Sequence, residues 1–188
     1  MSHYDRKGVL FLIKLLDFIV KKRIAFAFLL VGFFLIFSRP TRSSILIGLV
    51  VAVAGEVIRT WASGYISKSK VLATQGPYYY VRNPLYLGSF IIGLGVCLMG
   101  GNVIFLLIYL LLFTVIYTRL VRKEEEKVAR IFGEEYVNYK SRVPRFIPRF
   151  AKGERRRGNF NWLLVLQHGE YNAWLGLFSI TIFLLFKA

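Results

Sequence analysis

The longest uncharged stretch of this sequence runs for 36 residues between Arg82 and Arg119. As one helix, at ~1.5 Å per residue, it would extend for about 54 Å. That is far longer than the ~30 Å hydrocarbon core of a bilayer, so the stretch must turn back on itself. Gly100-Gly101-Asn102 lies near its middle and is typical of a turn. We predict a membrane-embedded helical hairpin whose arms are residues 85–99 and 103–118.

Other apolar segments extend this membrane pattern along the chain. They cover residues 24–38, 43–64 and 171–186. Hydrophobic residues make up 56% of the sequence, above the ~45–50% usual in soluble domains. The pattern predicts an all-α polytopic membrane protein with about five transmembrane helices, in a single membrane domain over residues 1–188. Four passes fall within residues 24–118 and the last within 171–186. Residues 1–23 either form an amphipathic helix in the membrane interface or extend the first pass.

The distribution of positive charge predicts an orientation. The chain has 26 Lys and Arg against 10 Asp and Glu, a net charge of +16. With a cytosolic N-terminus, only Arg39, Arg42 and Lys187 fall on the opposite side, as the positive-inside rule favours. Attraction to anionic membrane lipids is a secondary interpretation. The long uncharged runs argue against nucleic-acid binding. One cysteine and two histidines are too few for an ordinary zinc site, so we expect no metal.

The predicted hairpin gathers polar residues on one cytosolic rim. Both of its ends face the cytosol, so the segment before Leu85 lies beside the segment that follows Thr118. Together they supply glycine and proline backbone, aromatic rings, an arginine and a carboxylate cluster, a mixture that suits a ligand with a flat ring, a carboxylate and a positive charge. The alternative is an aromatic belt, with the glutamates paired to neighbouring bases. The residues concerned are Gly76, Pro77, Tyr78, Arg82, Asn83, Tyr86, Gly88, Glu124 and Glu125.

The order of these residues resembles a known family pattern. Residues 76–88 read GPYYYVRNPLYLG, and the hairpin is followed by Glu124-Glu125, by FGEEYVNY at residues 132–139 and by Val143-Pro144. Upstream, residues 59–64 read RTWASG. This arrangement, over roughly residues 56–150, resembles the integral-membrane methyltransferases that include isoprenylcysteine carboxyl methyltransferase and the phospholipid N-methyltransferases.

The resemblance implies an S-adenosylmethionine-dependent methyltransferase that acts at the membrane on a lipophilic or lipid-modified acceptor. The protein would lie in the plasma membrane of a prokaryote. Residues 119–158 would form a cytosolic cofactor-binding segment and linker. The cofactor-binding residues it implies are Gly76, Pro77, Tyr78, Arg82, Asn83, Tyr86, Gly88, Glu124 and Glu125. The catalytic candidates among them are Arg82, Asn83 and Tyr86. One of the two glutamates should touch the cofactor, and the other should pair with a base such as Arg82 or Arg122.

One departure from the family pattern bears on the chemistry. The family usually has histidine where this chain has Asn83. Asparagine can donate and accept hydrogen bonds, but it cannot relay a proton. A carboxylate or thiolate acceptor needs no general base, whereas an ammonium acceptor must first lose a proton. The departure therefore favours an acceptor that is already anionic, such as the carboxylate in isoprenylcysteine carboxyl methylation, although N- and S-methylation stay open.

The sequence also leaves other function classes open. A membrane reductase of the sterol-reductase type, which would use NADPH, shares an arginine-histidine-proline-like segment. A non-enzymatic membrane protein, such as a small transporter subunit, is the third class. Against it, the polar residues cluster on one rim and do not line a path through the bilayer.

Some motifs can be interpreted in two ways. Gly93-Leu94-Gly95 resembles part of a dinucleotide loop, but it lies in a membrane helix, where close helix packing is the better interpretation. Glu56 and Arg59 are three residues apart on the second pass and could form a functional or a structural ion pair. Glu170, at the start of the last pass, could close the site or anchor the helix.

Overall fold

A computed structural model describes residues 31–66, 71–148 and 159–188, and these residues form helices and connecting loops without strands. Residues 31–37 are helical and lead into the first complete helix. The helices are α1 (Arg42–Ser63), a short 3₁₀ helix (Gly76–Tyr79), α2 (Pro84–Met99), α3 (Val103–Arg142), α4 (Trp162–Gln167) and α5 (Tyr171–Lys187). The predicted all-α class is therefore confirmed for the described residues.

The membrane pattern is confirmed in its coarser form. Helices α1 and α3 are long and apolar enough to cross a bilayer, and α2 and α5 are shorter apolar helices. Of the predicted first pass, residues 31–37 are helical, whereas residues 24–30 lie outside the described part of the chain. The predicted interfacial segment 1–23 and residues 149–158 of the predicted cofactor-binding segment and linker lie outside it too. The count of five passes stays a prediction.

Helix α1 begins at a capping box, in which Thr41 and Ser44 bond reciprocally. The Thr41 hydroxyl accepts a hydrogen bond from the Ser44 amide at 3.1 Å, and the Ser44 hydroxyl accepts one from the Thr41 amide at 2.9 Å. This arrangement satisfies amide groups that a helix start leaves without partners. The Ser44 hydroxyl also donates to the Met99 carbonyl at 3.2 Å, so the start of α1 is tied to the end of α2.

Small residues bring α1 and α2 into close contact along their length. A Cβ atom added at Gly88 would lie 2.7 Å from the Gly55 carbonyl oxygen, and one added at Gly55 would lie 2.8 Å from that of Gly88. Gly48 and Gly95 face each other in the same way further along. Such contacts let two backbones approach where apolar burial gives no driving force between membrane helices. The packing interpretation of Gly95 is thus confirmed, while Gly93 faces the ring of Tyr109 on α3.

The hairpin turn lies where the sequence predicts it. Gly101 adopts φ +64, a conformation that favours glycine, and the Asn102 side chain caps α3 by accepting from the Ile104 amide at 2.9 Å. The Gly100 carbonyl accepts from the Arg39 amide at 2.8 Å. The second arm, however, does not end at residue 118 as predicted. Helix α3 is 40 residues long in all and continues to Arg142, because the polar sequence after Thr118 is itself helical.

The last helix is tied to α1 by an ion pair that the spacing of Glu56 and Arg59 does not predict. Arg59 binds Glu170 rather than Glu56. Its Nε and Nη2 atoms lie 3.0 and 3.1 Å from the two Glu170 oxygens, a bidentate geometry that is stronger than a single contact. Glu170 is buried, and it therefore anchors the start of α5. At the opposite end, Lys187 donates to the carbonyls of residues 35 and 36.

Candidate active site at the hairpin rim

The segment before α2 contains a short 3₁₀ helix that the end of α3 holds in place. Gly76 starts it at φ +58, and a Cβ atom there would lie 2.7 Å from the Tyr65 ring, so the position requires glycine. Tyr78 is buried, and its carbonyl accepts a hydrogen bond from the Tyr139 hydroxyl at 2.7 Å. The Arg82 amide donates to the Pro144 carbonyl at 2.9 Å. The two predicted rim segments are therefore in direct contact.

Glu125 is the centre of a polar cluster that joins three parts of the chain. Its carboxylate accepts from the Asn83 amide at 3.0 Å and from Arg145 Nε and Nη2 at 3.1 and 2.7 Å. Arg82 Nη2 lies 3.5 Å from the same carboxylate. We call Arg82, Asn83, Glu125 and Arg145 the Glu125 cluster. Glu125 thus has Arg82 as a basic partner, as predicted for one of the two glutamates.

The charge state of Glu125 follows from these partners. Burial favours the neutral acid, but hydrogen bonds from Arg145 and Asn83 and the nearby charge of Arg82 outweigh it and lower the pKa of Glu125 below its usual value. The carboxylate is ionised at neutral pH, and its charge is matched by the two arginines. Glu125 can therefore hold the 82–83 segment against residue 145, but it has little capacity left for a ligand.

Glu124 points away from this cluster, because adjacent helical residues are turned by ~100°. It is exposed, unlike Glu125, and accepts a hydrogen bond from the Tyr86 hydroxyl. The Tyr86 ring packs edge-on against Tyr117 at 5.5 Å between centroids. Glu124 is therefore the glutamate of the pair that is open to a ligand. Gly88, in contrast, faces Gly55 and Arg59 of α1.

Three buried polar atoms on the rim lack a hydrogen-bond partner within the described residues. They are Tyr78 Oη, Arg82 Nε and Tyr136 Oη. Burial raises the pKa of both phenols, so they stay protonated and can donate. Buried donors without partners are costly. A polar ligand with a carboxylate and hydroxyl groups would satisfy them, and S-adenosylmethionine has both. The residues present therefore fit this cofactor.

Three residues that help to build this site are absent from the predicted set: Arg145, Tyr136 and Tyr139. The two tyrosines belong to the FGEEYVNY motif and Arg145 directly follows Val143-Pro144, so the motifs themselves were the available signal. Their placement depends on Gly133, where α3 departs from helical geometry at φ 52 and ψ −124. That kink redirects the last turns of α3.

An apolar cavity of about 470 Å³ lies between α2 and α3 beside the rim. Tyr117 and Thr118 line it at the rim, where Tyr117 also contacts Tyr86. The other lining residues are Leu87, Phe90, Phe113, Thr114, Phe146, Ile147 and Pro148. The cavity therefore offers an apolar surface next to the exposed glutamate. The part of the chain that the structure describes contains no group of three or more metal-ligating side chains.

The chain is similar to known membrane methyltransferases. The model of the family "Phospholipid methyltransferase" matches residues 23–135. Protein-S-isoprenylcysteine O-methyltransferase of Schizosaccharomyces pombe is 33% identical over 95 residues, 50% of this chain and 40% of that protein. The human protein of that name is 34% identical over 118 residues, 56% of this chain and 41% of its own length.

A bacterial relative has a different kind of name. Cobalt-zinc-cadmium resistance protein CzcN of Cupriavidus metallidurans is 32% identical over 129 residues, 68% of this chain and 56% of that protein. The chain thus spans about half the length of the curated relatives it matches. No solved structure matches it.

Proposed function

The chain belongs to the phospholipid methyltransferase family, and from this premise we propose that it transfers a methyl group from S-adenosylmethionine to a lipophilic acceptor at the membrane. The observation that carries the proposal is the set of partnerless buried donors on the rim, Tyr78 Oη, Arg82 Nε and Tyr136 Oη. Family membership favours this function over the reductase and the non-enzymatic membrane protein.

The residues of the rim would bind and orient the cofactor. The buried donors would contact its polar groups, and the exposed Glu124 would face its positive charge or its hydroxyls. The Glu125 cluster would keep Arg82 and Asn83 in position. When bound, S-adenosylmethionine supplies a methyl group already activated by a positively charged sulfur. The protein then needs mainly to position the two reactants and to exclude water.

The acceptor we propose is an anionic group on a lipophilic molecule, as in carboxylate O-methylation. Among the buried groups of the rim that the structure describes, none is a free base, and the exposed Glu124 would be engaged with the cofactor. Glu125 is ionised but fully paired, Asn83 does not titrate, and burial raises the pKa values of Tyr78 and Tyr136. A carboxylate or thiolate needs no base to accept a methyl group. The 470 Å³ apolar cavity beside Tyr86 suits the acceptor's hydrocarbon chain.

We propose that the rim faces the cytosol in a protein of about five passes, in the plasma membrane of a prokaryote. The charge pattern supports this orientation, since twenty-three of the 26 basic residues would be cytosolic. The described helices are consistent with it. Arg39 lies at the hairpin turn, where its amide donates to the Gly100 carbonyl. Lys187 donates to the Leu35 carbonyl, four residues before Arg39.

Cofactor binding can be tested by calorimetry with S-adenosylhomocysteine on purified variants. Glu124→Gln should weaken binding at least tenfold, equivalent to ~1.4 kcal/mol, without changing the thermal unfolding midpoint. Glu125→Gln should lower both affinity and midpoint, since it disrupts the Glu125 cluster. Glu126→Gln is the matched control, because Glu126 is exposed and has the same charge. This variant should lose little affinity for S-adenosylhomocysteine. Equal, small losses at all three positions would contradict the proposed cofactor site.

The acceptor can be identified with tritiated methyl groups. Membranes containing the protein, supplied with labelled S-adenosylmethionine, should incorporate base-labile label into a lipid or lipid-modified protein fraction, because a methyl ester hydrolyses in alkali. Base-stable label would indicate N- or S-methylation. Membranes prepared without the protein are the background control. No incorporation above that background in any fraction would count against methyl transfer.

A further inference from the structure

A second groove, separate from the rim, lies between α1 and α5 and has a volume of about 780 Å³. It is open along one side, where Val53, Val57 and Phe178 are exposed. Its lining is almost entirely apolar and aromatic. The exceptions are the carboxyl group of Glu56 and two threonine hydroxyls, of which Thr60 accepts from the Trp174 indole at 3.2 Å and Thr181 donates to the Leu177 carbonyl.

Glu56 is an unusual residue to find in such a groove. It is only 8% exposed, and neither of its carboxyl oxygens has a hydrogen-bond partner among the described residues. The nearest base along α1, Arg59, is bound bidentately to Glu170 and also donates to the Ser89 hydroxyl at 2.9 Å. A carboxylate in apolar surroundings is costly unless it is paired. A hydrogen-bond donor that enters the groove would satisfy this carboxyl group, and a cationic donor would also stabilise it in its ionised form.

The aromatic lining fits the same requirement. Trp61 and Trp174 line the groove together with Glu56, and indole faces attract cations. Hydrocarbon surface continues away from Glu56 along both helices, through Leu49 and Leu185. The carboxyl group of Glu56 and the long apolar surface of the groove together fit a ligand in which a cation is attached to a hydrocarbon chain.

From these observations we propose that the groove binds a long-chain amine, with the ammonium group at Glu56 and the chain lying between α1 and α5. The depth of the site selects this class over a phospholipid. Glu56 lies seven residues before the end of α1, about 10 Å along the helix, so a phospholipid would have to draw its headgroup that far in from the end of the helix. A phosphoethanolamine headgroup placed there would also bring a phosphate next to the carboxylate, and like charges repel.

The three tryptophans of the chain provide a direct readout. Trp61, Trp162 and Trp174 are all the tryptophans in the sequence, and all three line this groove. The protein, reconstituted in phosphatidylcholine vesicles, is titrated with octadecylamine carrying a nitroxide at carbon 5, which quenches nearby indoles. Octadecanol with the same nitroxide is the reference for simple partitioning into the bilayer. The wild type should show saturable quenching by the amine at concentrations where the alcohol quenches at least tenfold less.

Variants separate charge recognition from partitioning. Glu56→Gln keeps the shape of the side chain and should weaken amine binding at least tenfold while leaving quenching by the alcohol unchanged, which also shows that the groove is intact. Glu126→Gln removes the same charge from the exposed part of α3 and should bind the amine like the wild type. Val53→Phe keeps Glu56 but narrows the groove, and should reduce quenching by the amine even if Glu56→Gln fails to fold.

The proposal is overturned if amine and alcohol quench the wild type equally, or if Glu56→Gln or Val53→Phe binds the amine as the wild type does. Absence of any quenching would mean that another part of the protein or a bulk phospholipid fills the groove, and would equally overturn it. None of these measurements involves methyl transfer or the rim. The result is therefore independent of the proposed function.

Discussion

Asn83 shows how a single residue can depart from a family pattern and still hold a site together. Its side-chain amide donates to Glu125 at 3.0 Å and to the Arg145 carbonyl at 3.4 Å. What the structure requires of this position is a hydrogen-bond donor, and histidine is also one. The unusual residue therefore preserves the geometry of the Glu125 cluster while removing a titratable group from the rim.

This role predicts opposite outcomes for two substitutions. Asn83→His should keep the affinity for S-adenosylhomocysteine within a few-fold, because histidine also supplies a donor. Asn83→Leu should weaken it about tenfold, since Glu125 loses a hydrogen bond worth ~1–3 kcal/mol and the 82–83 segment is freed. Asn138→Leu, at an exposed position on α3, is the control and should bind normally. Calorimetry measures these affinities. If Asn83→Leu binds S-adenosylhomocysteine as tightly as the wild type, Asn83 does not belong to the site.

Glu125 predicts a pH dependence of stability. Its pKa is lower in the folded protein than the ~4.3 of an unperturbed glutamate. The stabilisation it provides is therefore complete above that value and is lost as the pH falls through it towards the folded pKa. At neutral pH the wild type should unfold several degrees above Glu125→Gln. The gap in thermal midpoint should shrink as the pH is lowered below about 4.3. A gap that stays constant with pH would show that Glu125 does not act through its charge.

At the scale of elements, the contact between α1 and α2 depends on glycine. A Cβ atom at Gly95 would meet the backbone of Ala52 and Gly48, which cannot move aside as a side chain can. Gly95→Ala should therefore push the helices apart and destabilise the protein by about 1–3 kcal/mol, the usual cost of overpacking. Gly176→Ala on α5, where nothing lies within 4 Å, should be neutral or slightly stabilising. Thermal unfolding in detergent compares the two, and equal midpoints would contradict close packing.

The kink in α3 positions residues of the candidate site and does not contribute to the packing of α1 against α2. Gly133 adopts φ 52 and ψ −124, a region accessible essentially to glycine, and nothing lies within 4 Å of a Cβ atom added there. Gly133→Ala should therefore act through backbone strain of about 1–3 kcal/mol, displacing Tyr136 and Tyr139. We expect weaker S-adenosylhomocysteine binding with little change in the unfolding of α1 and α2. Normal binding by this variant would show that the kink is dispensable.

At the scale of the whole molecule, the two ends of the helices differ in the polar groups they hold. The hairpin turn lies near Arg39 and Ser44. The other end holds the 3₁₀ helix, the Glu125 cluster and the ion pair of Arg59 with Glu170. Since a membrane separates such ends, the fold can place the polar rim on one side only.

A reporter experiment tests this orientation. A topology reporter fused after Gly101 should be found outside the cytosol, and one fused after Gly158 should be found inside, because the positive-inside rule places most basic residues in the cytosol. A third reporter after Ala188 should behave like the one after Gly101, since α5 ends with Lys187. If the first two reporters appear on the same side, the orientation proposed for the rim is wrong.

The local features of this protein are determined by the sequence itself. The hairpin is one, because a 36-residue uncharged run cannot cross a bilayer once, and Gly100-Gly101-Asn102 is the place where it can turn. The bounds of α1, α2 and α5 agree with the predicted passes to within about two residues, since apolar runs and helix caps are encoded by neighbouring residues. The placement of Asn83 and Glu125 on the same rim also follows from the hairpin topology.

Only the tertiary structure decided which polar groups meet. Arg59 has a glutamate three residues away, yet it pairs with Glu170, 111 residues further along the chain. Glu125 receives Arg145 because α3 continues past the predicted end and then turns back after its kink. Such pairings depend on the rotation and length of whole helices, to which many weak contacts contribute together. A sequence pattern specifies the polar positions on each helix, and the packing of the helices selects their partners.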